Sequence, residues 1–261
     1  MTTKTEGGEE TYKKLRIYNA VMGFFHLIQG FLMLWLSNDF KLPITTSYLS
    51  FDVATKAIST VLNQVADLRI GPMVALFLFI SALAHFLTAT VLFKFYERNL
   101  KKHINYIRWY EYAFSSSLMI VIIAMLCGMY DLSSLILMFS VNAAMILFGL
   151  LMEKYNQLTT KINWTAFVFG CIMGIIPWVV IYLYFSGAVS SVGDVIPKFV
   201  YGILISIFVF FNIFAINMFL QYKKLGPWKN YLYGEAIYIL LSLIAKSALA
   251  WQIFSGTLRP Q

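Results

Sequence analysis

The sequence predicts an all-α membrane protein: a bundle of seven transmembrane helices with a short β-hairpin in the first loop outside the membrane. Three observations predict it. The chain is 60% hydrophobic and 12% charged, with a mean hydropathy of +0.73, a balance foreign to soluble domains. Seven stretches reach the roughly 20 apolar residues that a bilayer core requires. The cations collect on alternate connections, as in a chain that crosses a membrane repeatedly.

The spans fall at Leu15–Leu36, Pro72–Tyr96, Ile104–Met129, Leu132–Glu153, Trp164–Phe185, Phe199–Gln221 and Tyr231–Ile253. The first lacks a small-residue cleavage site and reads as a retained helix. Residues 1–14 precede it as a tail, with MTTKTEGGEE too polar to fold alone, and residues 255–261 follow the last span. Between the first two spans, residues 37–71 form a long loop in which LPITTSYLSFDV alternates apolar with polar residues, as a half-exposed strand does. Such a loop is a lid, a contact with a second subunit, or a segment resting on lipid.

Orientation follows from charge. Fourteen of the 20 Lys and Arg lie on the side of the N-terminus, including Lys13, Lys14, Arg98, Lys101, Lys102, Lys223 and Lys224. Five lie opposite. The positive-inside rule therefore places the N-terminus in the cytoplasm and the C-terminus outside, in a multi-pass protein of the cell membrane. The net charge of +8 is mainly this topology signal, with anionic lipid as a secondary partner and nucleic acid excluded as a reading. Cys127 and Cys171 lie within predicted helices and indicate no disulfide framework.

The remaining charge is Lys246, midway along the seventh span. An ammonium at the bilayer centre costs roughly 2.5–3.5 kcal/mol even on insertion scales, so this lysine calls for a use. Glu111 is the acidic residue clearly inside a span, and His26 and His85 are the intramembrane histidines. At 1.5 Å per residue both histidines lie roughly 16 Å deep, Lys246 about 22 Å and Glu111 about 10 Å. The Lys246 side chain leans back toward its helix N-terminus, which brings its amine nearer the others. One lysine, one carboxylate and two imidazoles thus fit a single buried site. Ser242 precedes Lys246 by four residues and shares its face, unless its hydroxyl bonds back to its own helix. Arg108 precedes Glu111 by three: it either faces that carboxylate or snorkels to the interface.

Seven helices with a lysine in the seventh and a carboxylate early in the third resemble a retinal protein. The match to the heliorhodopsins is closer still. It rests on the N-terminus assigned to the cytoplasm, the long first loop, RWYEYAFSSS at Arg108–Ser117 and SLIAKSA at Ser242–Ala248, and it covers nearly the whole chain. The resemblance implies all-trans retinal as cofactor, joined to Lys246 as a protonated Schiff base, with Glu111 as counterion and Ser242 beside the imine. It places the family's buried histidines on His26 and His85, and its arginine and tryptophan near the counterion on Arg108 and Trp109. Gln29, Asn142, Ser115 and Ser116 are pocket or network positions, and Tyr112, Trp178, Phe210 and Phe211 are candidates to line a polyene. It also implies a homodimer.

Comparison with light-driven proton pumps decides between pump and sensor. Those pumps carry threonine four residues and a donor carboxylate eleven residues after the counterion, and an aspartate four before the lysine. Here the three positions are Ser115, Ile122 and Ser242. Without a chain of carboxylates across the bilayer there is no relay, so the reading is a non-enzymatic photoreceptor that signals to an unidentified cytoplasmic protein. Two other classes stand beside it: a channel or transporter built on Glu111 and Lys246, and an intramembrane metal hydrolase. The hydrolase needs about three clustered ligands, and the seventh span has no histidine.

Overall fold

A computed structural model describes residues 8–192 and 198–259. Seven of its helices are long and apolar enough to cross a membrane: α1 (Glu9–Leu36), α2 (Ile70–Ala89), α4 (Tyr106–Leu126), α5 (Leu132–Tyr155), α6 (Thr165–Val192), α7 (Lys198–Lys223) and α8 (Tyr231–Ile253). An eighth, α3 (Phe93–Leu100), is short and amphipathic. α1 packs on α2, α2 on α4, α4 on α5 and α5 on α6, while α7 packs on α8 and α8 returns to α1.

Several helix ends differ from expectation. α1 starts at Glu9 and takes in residues assigned to the tail, with Glu9 and Glu10 in its first turn, where negative charge suits the helix dipole. The first seven residues of that tail lie outside the described part of the chain. The second span does not run to Tyr96. Arg16 Nε donates to the Ala89 carbonyl at 2.6 Å, taking an acceptor that a continuing helix would use, and the Leu92 amide turns back to the Leu87 carbonyl. The chain bends there and restarts as α3. α4 stops before Met129 because Gly128 takes a left-handed conformation (φ 101°) that ends a helix cheaply only at glycine. α6 extends past Phe185 to Val192, through Pro177.

The first loop forms the expected hairpin, but not a short one. Strands β1 (Lys41–Asp52) and β2 (Ala57–Arg69) pair antiparallel from Lys41 with Arg69 to Asp52 with Ala57. A bulge between Ile44 and Thr45 breaks the register. At that point the Thr45 amide reaches the Tyr130 carbonyl at 2.9 Å, anchoring the ribbon to the turn before α5. Asp131 caps α5 by accepting from the Ser134 amide. The Ser133 hydroxyl and that amide hold its carboxyl below the usual carboxylate range. After α8 the chain does not trail away: Phe254–Leu258 forms one wide helical turn, Leu258 is fully buried, and Asn38 Nδ2 donates to the Thr257 carbonyl at 3.0 Å.

Candidate functional site

α8 is apolar enough to sit in the bundle and carries Lys246 into it, 3% exposed. The Lys246 Nζ donates to Glu111 Oε1 at 3.0 Å and to Ser242 Oγ at 2.8 Å, and lies 4.9 Å from the centre of the Tyr112 ring. The depth mismatch between lysine and glutamate read from sequence is thus closed by the two side chains. Ser242 spends its hydroxyl as the acceptor for the amine, the role that its i,i+4 spacing allows. Glu111 accepts a further bond from Ser81 Oγ of α2 at 2.6 Å. Ser115, one turn beyond Glu111, is fully buried.

Lys246 forms part of the wall of a cavity of about 320 Å³ between α4, α5, α6, α7 and α8. Trp109, Tyr112, Met119, Met145, Trp178, Phe211, Phe214 and Ser116 also line it. Trp178 meets Phe211 edge to face at 5.4 Å, and Tyr112 meets Phe214 likewise at 5.3 Å. A site walled by rings and thioethers, with a primary amine at one place in the wall, fits a rigid apolar molecule carrying a single carbonyl. That is the chemistry of retinal. Asn142 Nδ2 donates to Ser116 Oγ at 2.8 Å and to Ser117 Oγ at 3.1 Å, tying α5 to α4 behind this wall.

His26 and His85 do come together, their rings stacked at 5.4 Å with 12° between planes. His85 Nδ1 is 2.8 Å from Asn19 Oδ1. Both ring nitrogens of His26 are buried without a hydrogen-bond partner among the described residues. A second cavity of about 30 Å³, room for roughly one water, is lined by Asn19, His85, Thr88, Asn105, Arg108, Glu111 and Glu235 among others. Most of its lining residues carry polar groups, and it joins the neighbourhood of Glu111 to a second cluster of charge.

That second cluster corrects the placement of Arg108. Its guanidinium neither faces Glu111 nor snorkels. One terminal nitrogen pairs with Glu153 of α5 and the other with Glu235 of α8, and all three residues are buried. Trp109 Nε1 donates to Glu153 at 2.6 Å, so the indole belongs to this cluster as well as to the large cavity. Asn105 supplies its amide to Glu153 at 2.9 Å and its side chain to Glu235 at 2.6 Å, and Tyr96 donates to Glu235 at 3.2 Å.

Several sequence candidates lie off the cavity, Ser115 and Asn142 among them. Phe210 does not line it, whereas Phe208 and Phe211 do, because positions three apart share a helix face and adjacent ones do not, and phenylalanine at all three hides which pair faces inward. Gln29 instead accepts from Trp251 Nε1 at 3.0 Å on the α1–α8 seam. The residues missed are Ser81, Asn19, Glu153 and Glu235. Ser81 had a signal, since it precedes His85 by four and shares its face. So did the carboxylates: Arg108, Glu153 and Glu235 lie within about one turn of the ends of their helices on one side of the bundle, the same kind of depth match that joined the histidines.

The sequence pattern of the heliorhodopsin family matches residues 15–258 of the chain. No curated protein sequence matches it. A match over nearly the full length shows that the chain belongs to the heliorhodopsin family, and so is a multi-pass, retinal-binding, light-sensing membrane protein.

Proposed function

We propose that this heliorhodopsin is a light sensor that carries all-trans retinal on Lys246, uses Glu111 as the counterion, and does not pump protons. The observation that supports it best is the Lys246 amine in the wall of an aromatic cavity, 3.0 Å from one carboxylate oxygen. When bound, retinal would supply the light absorption and the isomerisation, joined to Lys246 through an imine that is protonated in the dark.

The chain's own residues do the rest. Glu111 places a fixed negative charge beside the nitrogen of Lys246, which in a low-dielectric interior favours the protonated form. Ser81 and Ser242 hold the carboxylate and the nitrogen in that geometry. Glu111 with the stacked His26 and His85 offers places for a proton leaving that nitrogen, on the side of the small polar cavity. On the opposite side Ile122 stands where a pump keeps a carboxylate, and it is fully buried among apolar side chains.

The charge asymmetry supports a cytoplasmic N-terminus, in a chain that we assign to the cell membrane. The long hairpin, exposed over much of its length, is the contact for a second copy in a homodimer. A cytoplasmic partner reads the light-induced helix shift at the basic loops around Lys101 and Lys223.

The test is the linkage. Lys246→Ala and Lys246→Arg, purified with all-trans retinal, are expected to remain folded and to lack the visible band that the wild type shows. A visible band in Lys246→Ala would remove the assignment.

A further inference from the structure

Between α2 and α4 the residues Phe93–Asn105 make a compact cap with two different sides. The inner side is tied to the buried charge cluster: Tyr96 and the Asn105 side chain both donate to Glu235 Oε1, at 3.2 and 2.6 Å. His103, in left-handed backbone (φ 58°), stacks on Tyr231 at 4.7 Å, and the Tyr231 hydroxyl donates to Glu153 at 3.2 Å. The outer side is basic. Lys94 and Arg98 stand one turn apart and exposed on α3, Phe95 lies beside them 36% exposed, and exposed Lys101 and Lys102 follow. Glu97 is the carboxylate of this segment, and Lys101 holds it at 2.6 Å.

α3 begins four residues after a membrane helix ends. An amphipathic helix there, with an aromatic ring and cations facing outward, lies at the level of the lipid headgroups. A part-exposed ring with the Arg98 guanidinium 5.7 Å above it suits acyl chains beneath phosphates better than it suits an acidic protein surface, which would need the cations alone. We propose that this cap binds anionic lipid headgroups through Lys94 and Arg98, and that Tyr96 and Asn105 pass the state of the cap to the Arg108–Glu153–Glu235 cluster. Lipid binding needs no chromophore; only the coupling rests on the light-sensing reading.

The experiment titrates the full chain, with and without retinal, with phosphatidylglycerol and with phosphatidylcholine, and reads bound lipid by native mass spectrometry. Phosphatidylglycerol should bind more tightly in both forms. Lys94→Gln and Arg98→Gln should each weaken it roughly fivefold while leaving phosphatidylcholine unchanged. Tyr96→Phe should retain the lipid preference. In nanodiscs, recovery of the visible band after a flash should differ roughly threefold between the two lipids in the wild type, within the effect of a single surface charge, and the difference should shrink in Tyr96→Phe. Equal affinity for the two lipids would overturn the proposal and leave the cations to an acidic protein. Selective binding with identical recovery would overturn the coupling. Selective binding to a chain that never becomes coloured would support the lipid site and sink the light-sensing reading instead.

Discussion

The two halves of the bundle are built from opposite materials. Toward the N-terminal side the core holds Asn19, His26, Arg108, Glu153, Glu235 and Lys246. Toward the hairpin it holds Met33, Ile70, Phe77, Ile120, Ile122, Met125 and Ile253, a cluster without a carboxylate or a basic side chain among the described residues. A charge entering that apolar half has no partner and costs several kcal/mol. In the polar half, each charge meets an opposite one within hydrogen-bond reach. On the function proposed above, a proton released at Lys246 would meet acceptors on one side only, and the protein would store and report a proton rather than conduct it.

If the polar half is held by its ion pairs, breaking the larger cluster should do most damage. Arg108→Gln leaves two buried carboxylates without their cation, and loss of one partner of a buried pair costs about 3–5 kcal/mol. Arg108→Lys should rescue little, because Glu153 and Glu235 are held by two different nitrogens of one planar group. Thermal unfolding in detergent checks both; a wild-type midpoint in Arg108→Gln would mean that the cluster does not hold the fold.

Glu111→Gln addresses the smaller pair. It should lower stability by up to about 3–5 kcal/mol in the retinal-free chain, offset in part by the bond that Ser81 donates to residue 111 and the one that Ser242 accepts from Lys246. In the retinal-loaded protein the band should move to longer wavelength, because a full negative charge no longer holds the positive charge at the nitrogen in the ground state. His26→Ala and His85→Ala should move it much less. An absorption spectrum of each decides the matter, and an unshifted Glu111→Gln would mean that another group compensates the charge.

Gly149→Ala probes the wall between the large cavity and the Arg108 cluster. A methyl group there would overlap the Trp109 ring, pushing the indole into the cavity or off Glu153. Overpacking of this kind costs about 1–3 kcal/mol. The expected outcome is slower and less complete uptake of added retinal, followed as growth of the visible band; uptake at the wild-type rate would mean that Trp109 yields without cost.

The sequence made much of this legible, and the failures have physical causes. The seven spans follow from hydrocarbon thickness, and the strand from alternation; Lys246 and Glu111 stand out because charge is rare in lipid. The break at Thr90 was hidden because Arg16, 73 residues away in sequence, makes the bond that ends α2. Arg108 was ambiguous because local spacing offered Glu111, whereas its actual partners come from α5 and α8. Phe208 and Phe210 are indistinguishable by residue type, because a phenylalanine facing lipid and one facing the cavity are equally apolar.

The contrast between halves is tested most directly by illuminating vesicles that contain the retinal-loaded protein while recording external pH. With proton acceptors on one side of Lys246 and Ile122 in the dry half, the account predicts no sustained light-driven pH change and therefore none for a protonophore to abolish. A steady, protonophore-sensitive change under continuous light would contradict it.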